Sequence, residues 1–341
     1  MKQIKTQDAV GQIICHDVTQ IIKDVTKDAV FRKGHVITES DIPILLRLGK
    51  DNVYIWEENK DMLHENDAAV ILSELCQNEN MYKTEAKEGK IELIAEADGL
   101  LLVNTERLKA VNSIGEMMIA TRANGSVVVK GDKLCGTRVI PLAISKKKMD
   151  KARKAAGEKP LLELLPMKKK KYGLINTGNE LFYGRIKDTF TPVIQEKMSH
   201  YGCELVTAVT LEDNYETITA AINGMLGSGV DMVLCTGGMS VDPDDKTPLA
   251  IKNAADEVVS YGAPVLPGAM FMLAYMEDGR QICGLPGCVM YNKRTIFDIV
   301  LPRLLADVRI TPDWLFELGN GGLCLECESC CFPNCVFGKG V

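Results

Sequence analysis

No uninterrupted apolar stretch in this chain approaches the ~18 residues that a bilayer-spanning helix needs. Its first residues, Met-Lys-Gln-Ile-Lys, do not lead into the apolar core of a secretory signal. A membrane-spanning or exported protein is therefore not expected, and the cytoplasm is the expected compartment. Positive charge is also scarce: 40 Lys and Arg against 46 Asp and Glu leave a formal charge of -6. That balance argues against a general nucleic-acid-binding face, and the two lysine runs, 146–148 and 168–171, read as solvated linker. Histidines number only four, at 16, 35, 64 and 200. They share no metal-ligand spacing, so Cys15-His16-Asp17 is expected to be structural. Neither the Walker phosphate loop nor the Gly-x-Gly-x-x-Gly fingerprint occurs, which removes nucleotide binding through those motifs.

What is present is an ordinary globular composition, 46% hydrophobic and 25% charged over 341 residues, with room for two or three domains. Of 12 cysteines, five (Cys324, Cys327, Cys330, Cys331 and Cys335) fall in the last 18 residues. Their spacings are short enough to wrap a metal, and Gly319, Gly321, Gly322 and Pro333 suit a tight knuckle. Zinc, an iron–sulfur cluster, and redox-active or sulfur-carrying thiols are all open readings of this tail, 319–341.

The first 160 residues read as an α+β accessory domain. A strand is expected at 10–15, a turn at Lys33-Gly34, and a helix capped by Thr38 or Ser40 and ended by Gly49. The polar stretch 58–90 reads as a hinge or mobile connection. Strands follow at 91–95 and 99–104, a helix from Thr105 to about Ile114, and short β runs at 117–121, 126–129 and 139–142. This half offers no catalytic constellation.

From Tyr172 strands alternate with helices, which predicts a three-layer αβα domain over 171–310 with a mostly parallel sheet. Helices are expected from Thr191 as N-cap, with Pro192 at the first position, and over 215–226, 247–255 and 290–305. Three loops follow strands, at 177–188, 236–245 and 284–288. In the second, a short apolar run stops at Thr236-Gly237-Gly238 and gives way to Ser240, Asp242, Asp244 and Asp245. Glycines allow close backbone approach to a ligand, and carboxylates suit a metal or a proton. Loops at the carboxyl ends of parallel strands are where such sheets bind ligands.

In their order, TGNEL at 177–181, GRIKD at 184–188, TGGMSVDPDD at 236–245, Pro267-Gly268 and GLPG at 284–287 resemble a known family. It is the molybdopterin-binding domain shared by molybdopterin molybdenumtransferases, molybdopterin adenylyltransferases and competence-damage-inducible proteins, and the resemblance covers about 172–306. It implies a site for molybdopterin or its adenylylated form at Thr177, Gly178, Glu180, Thr236, Gly237, Gly238, Ser240, Pro286 and Gly287. It also implies Mg2+, molybdate or catalysis at Asp188 and Asp245, a recipient molybdoenzyme as partner, and a homo-oligomer. The implied function is molybdenum cofactor biosynthesis by Mg-dependent molybdenum insertion. Asn179, Asp242 and Cys288 depart from the family pattern. Two alternatives stand beside that function: a non-catalytic molybdopterin-binding chaperone or sensor whose cysteine tail contacts a partner, and a nucleotide amidase or pyrophosphatase activity.

Overall fold

Runs such as Leu174-Ile175 and Met232-Val233-Leu234-Cys235 are apolar at successive positions, as strands covered on both faces must be. The computed structural model of the protein, which describes residues 2–22, 26–55 and 60–340, builds them into the middle of a six-stranded sheet. Its strands are β1 (Lys171–Thr177), β2 (Glu204–Leu211), β3 (Met232–Thr236), β4 (Glu257–Tyr261), β5 (Met272–Tyr275) and β6 (Gln281–Leu285). They lie in the order β2-β1-β3-β6-β5-β4. β1 pairs in parallel with β2 and β3, and β3 with β6, whereas β5 runs antiparallel to both of its neighbours.

The helices of this sheet are α1 (Phe190–Ser199), α2 (Tyr215–Gly227), α3 (Thr247–Ala254) and α4 (Ile296–Leu305). Alternate strand residues point to opposite faces, and two core clusters divide accordingly. Leu174, Met232, Leu234 and Leu285 pack with Ile194 and Met198 of α1 and with Phe297 and Leu301 of α4. Ile175, Val233, Cys235 and Ile282 pack with Ile218 and Ile222 of α2 and with Ala250 and Ile251 of α3. This is the expected three-layer αβα arrangement.

Two helix starts differ from expectation. α1 begins at Phe190, not after Thr191, because the Asp188 carboxylate accepts the Phe190 and Thr191 N–H groups and starts the helix earlier. α4 begins at Ile296, where Thr295 and Asp298 form a capping box, and 287–290 is a separate 3-10 turn.

The chain divides into two compact units: 1–96, 103–122 and 130–163 form the first, and 97–102, 123–129 and 164–341 the second. Two short segments of the first half therefore belong with the second unit. In the first unit, an antiparallel sheet runs in the order Met81–Lys83, Lys90–Ala95, Lys133–Val139, Met117–Thr121. The stretch expected as a hinge instead contains a helix, Glu65–Glu74, with Ala68, Ala69 and Leu72 buried; residues 58 and 59 of that stretch lie outside the described residues. Its charged flanks hid a short apolar face of good helix formers. The strand expected at 139–142 lies at Lys133–Val139, and 10–15 forms only isolated bridges at Ile13 and Ile14. Thr38 caps a 3-10 turn, Glu39–Asp41, that runs on into Ile42–Arg47.

Candidate functional site

Because β1, β3 and β6 are parallel neighbours, the three loops singled out in the sequence leave the sheet side by side at one edge. The loop after β3 is drawn against the end of β1. Gly237 and Gly238 have φ of +83° and +53°, and a Cβ on Gly237 would run into the Thr177 carbonyl oxygen. A Cβ on Gly238 would stand 3.0 Å from Thr247 Oγ1 and 3.1 Å from Thr177 Oγ1, two hydroxyls that are themselves 3.1 Å apart. These glycines are thus required by the protein's own packing before any ligand arrives. Met239 is buried and folds over Gly284, where any side chain would collide with it. Tyr261 of β4 donates its hydroxyl to the Met239 and Ser240 carbonyls at 2.9 and 3.0 Å. The Ser240 side of the loop is exposed, and beyond Pro286 nothing lies within 4 Å of a Cβ built on Gly287, so that turn is an open wall.

Not every expected ligand residue faces outward. Thr236 is fully buried, and its hydroxyl donates to Asn176 Oδ1 at 2.7 Å. Asn176 Nδ2 in turn donates to Asp188 Oδ2 at 2.9 Å and to Thr191 Oγ1 at 2.8 Å. Asp188 Oδ1 accepts the Phe190 and Thr191 N–H groups at 2.9 and 3.0 Å, and its Oδ2 also accepts the Thr191 hydroxyl. Four protein donors therefore already serve this carboxylate. Its role here is to cap α1 and lock the ends of β1 and β3 together through Asn176. Asp245 is engaged differently: its Oδ2 accepts the Asp242 N–H at 3.1 Å and its own N–H donates to Asp242 O at 2.9 Å, closing the loop around Pro243.

The acid at this edge that the sequence reading missed is Asp213, just beyond β2. Its Oδ2 accepts the Asn179 N–H at 3.0 Å, while Asn179 Oδ1 accepts the Asp213 N–H at 3.4 Å. Asp213 Oδ1 is buried with no hydrogen bond among the described residues, and it lies 3.4 Å from a Cβ built on Gly238. Burial pushes the Asp213 carboxyl above its ordinary range; the Asn179 N–H and the Thr177 hydroxyl oppose this, and the charges of Glu180 and Asp245 add to it. The strand-end rule, applied to β2 as it was to β1, β3 and β6, would have found this residue. Tyr261, Thr247 and Asn176 carry no such signal, since their roles come from neighbours distant in sequence.

Glu180, Asp213 and Asp245 give the edge a negative field. A phosphorylated ligand therefore fits here when its charge is accompanied by a cation. The side chains do not preform a cation site: among the described residues no three His, Cys, Asp or Glu gather into a metal-ligand group. The Mg2+ expected at Asp188 and Asp245 thus finds one carboxylate saturated by protein donors and the other bonded within its own loop.

The cysteine tail is likewise no preformed knuckle. Cys324 and Cys335 pack against the core of the second unit beside Phe332, whereas Cys327, Cys330 and Cys331 are exposed. All five line one cavity of about 370 Å3, together with Arg294. The Phe332 N–H holds the Cys330 thiol below its ordinary range; burial opposes this, and Arg294 adds to the lowering. Among the described residues the five thiols do not gather into a metal-ligand group for the zinc or iron–sulfur site expected from the spacings, and two of them, Cys324 and Cys335, pack against apolar side chains.

Residues 173–306 match the family described as "Probable molybdopterin binding domain", and residues 3–57 match one described as a domain of unknown function. The chain is similar to the molybdopterin molybdenumtransferase of Synechococcus elongatus, 26% identical over 208 residues that are 57% of this chain and 49% of that protein. It is also similar to a CinA-like protein of Syntrophus aciditrophicus, 35% identical over 82 residues, 24% of this chain and 19% of that one. The chain thus spans half or less of the length of these curated relatives. A solved structure it resembles is the molybdopterin biosynthesis enzyme MoaB from Thermus thermophilus, at 20% identity and a TM-score of 0.35, covering 42% of this chain and 98% of that one.

Proposed function

Starting from residues 173–306 as a molybdopterin-binding domain, we propose that the second unit binds molybdopterin, free or adenylylated, at the carboxyl edge of β1, β3 and β6 and serves molybdenum cofactor biosynthesis. The observation that carries this reading is the packed edge itself. Gly237 and Gly238 bring the β3 loop onto Thr177, and Asp213 leaves one buried carboxylate oxygen unbonded beside Gly238. Thr177, Gly178, Gly238, Ser240 and Gly287 would surround the pterin and its phosphate. Glu180, Asp213 and Asp245 would face the charged end, where molybdate arrives as substrate. In this scheme Asp245 orients what Asp213 contacts, and Asp188 holds the frame.

The test is binding of purified molybdopterin followed by its fluorescence, paired with reconstitution of a metal-free molybdoenzyme in the presence of molybdate. The wild-type chain is expected to bind and to reconstitute. Asp245→Ala is expected to bind within about threefold of wild type yet lose reconstitution. Absence of molybdopterin binding by the wild type would defeat the proposal.

The saturation of Asp188 and the lack of a preformed metal-ligand group favour a second reading, a non-catalytic molybdopterin carrier. In that case the wild type binds the pterin but inserts no molybdenum. Deleting 319–341 then removes delivery to the recipient enzyme while pterin affinity stays the same.

A further inference from the structure

The first unit contains a cavity of about 580 Å3 whose wall includes Asp17, Arg32, Lys33, Glu65 and Glu88. Glu65 opens the helix Glu65–Glu74 and is 9% exposed. No hydrogen bond or ion pair among the described residues reaches its carboxylate; Arg138 and Lys33 act on it only at a distance, and burial raises its pKa. An acid at a helix N-terminus is favourable; Glu65 packs against Gly89, and its carboxylate has no protein donor among the described residues and opens onto the cavity, where a ligand cation can reach it. Of the other acids of the wall, Asp17 Oδ1 accepts the Lys33 N–H at 2.8 Å, Glu88 Oε1 accepts the Thr19 hydroxyl at 3.3 Å, and Glu85 is exposed to solvent, which leaves Glu65 as the one that is largely buried without a protein donor among the described residues. Arg32, also on the wall, is exposed, and its guanidinium makes no hydrogen bond or ion pair among the described residues.

A carboxylate without protein donors, on a largely buried residue and open to the cavity, and an exposed guanidinium without an acceptor are complementary to a small molecule with opposite charges at its two ends. We propose that this cavity binds a small zwitterion, its ammonium or amidinium group on Glu65 and its anionic group on Arg32. The ligand's cation supplies the hydrogen-bond donors that Glu65 lacks, and its anion closes the site at Arg32.

The test uses the full chain and zwitterions of graded length and anion type: glycine, 4-aminobutanoate, 6-aminohexanoate and phosphoethanolamine. Butanoate and butylamine serve as single-charge controls. Binding is read by calorimetry and by amide shifts at 16–17, 32–33, 64–66 and 84–88. At least one zwitterion is expected to bind and to move those amides, with carboxylate and phosphate probes showing which anion is preferred. Glu65→Gln should weaken it tenfold or more, and Arg32→Ala should weaken the zwitterion but leave butylamine unchanged. The proposal is overturned if no zwitterion binds at millimolar concentration, if butanoate binds as tightly, or if Glu65→Gln leaves affinity intact. Should Glu65→Gln lower stability, the exposed Arg32→Ala carries the same decision alone.

Discussion

Asn179 and Asp213 hold each other through reciprocal hydrogen bonds, so an amide at 179 keeps one more negative charge away from a carboxyl already disfavoured by Glu180 and Asp245. The departure from the family pattern at 179 therefore has a local electrostatic reason. For Asp213 the sign is definite. A carboxyl whose folded pKa lies above its unfolded value binds protons more readily when folded, so ionisation opposes folding as pH rises. Asp213→Asn is expected to match wild-type stability below pH ~3.9, the ordinary aspartate value, and to exceed it at pH 7 while weakening ligand binding; urea melts at both pH values check this. Gly237→Ala places a side chain at φ +83° and against the Thr177 carbonyl. It should destabilise by about 2–4 kcal/mol from backbone strain plus overpacking, read as a lowered denaturation midpoint.

Among the elements, α1 shows how a residue singled out for chemistry can act through structure. Asp188 supplies the cap that Thr191 was expected to provide. Asp188→Ala is expected to destabilise the protein by about 1–2 kcal/mol, as lost caps do. Asp188→Asn, which keeps an acceptor oxygen, should recover most of that in thermal unfolding. Equal stability of Asp188→Ala and wild type would remove the capping role. The strands of the six-stranded sheet were legible almost residue by residue, because β1, β3 and β6 each hold a short apolar run that stops at a turn signal. The helix Glu65–Glu74 was not legible. Apart from Glu65 and Ser73, its buried face is only Ala68, Ala69 and Leu72, too little apolar contrast to stand out from flanking charge.

At the scale of the molecule, 164–341 holds the whole six-stranded sheet and both of its helix layers. A fragment of those residues is expected to fold cooperatively and to keep pterin binding, with a lower urea midpoint because 97–102 and 123–129 are left out. Circular dichroism and pterin fluorescence on the fragment measure both, and an unfolded fragment would refute it. The amino-acid sequence by itself determined that this unit is α/β, where its strands end to within a residue, and that Gly237, Gly238 and Gly287 stand in turns after them. These are local matters of hydrophobic period and turn chemistry. Only the tertiary structure decided that β1, β3 and β6 are neighbours, that Asp213 joins their edge, that Asn176 ties Thr236 to Asp188, and that the tail cysteines are divided between core and solvent. Each of those depends on which strand lies beside which, and strand order is set by the packing of both sheet faces against helices remote in sequence.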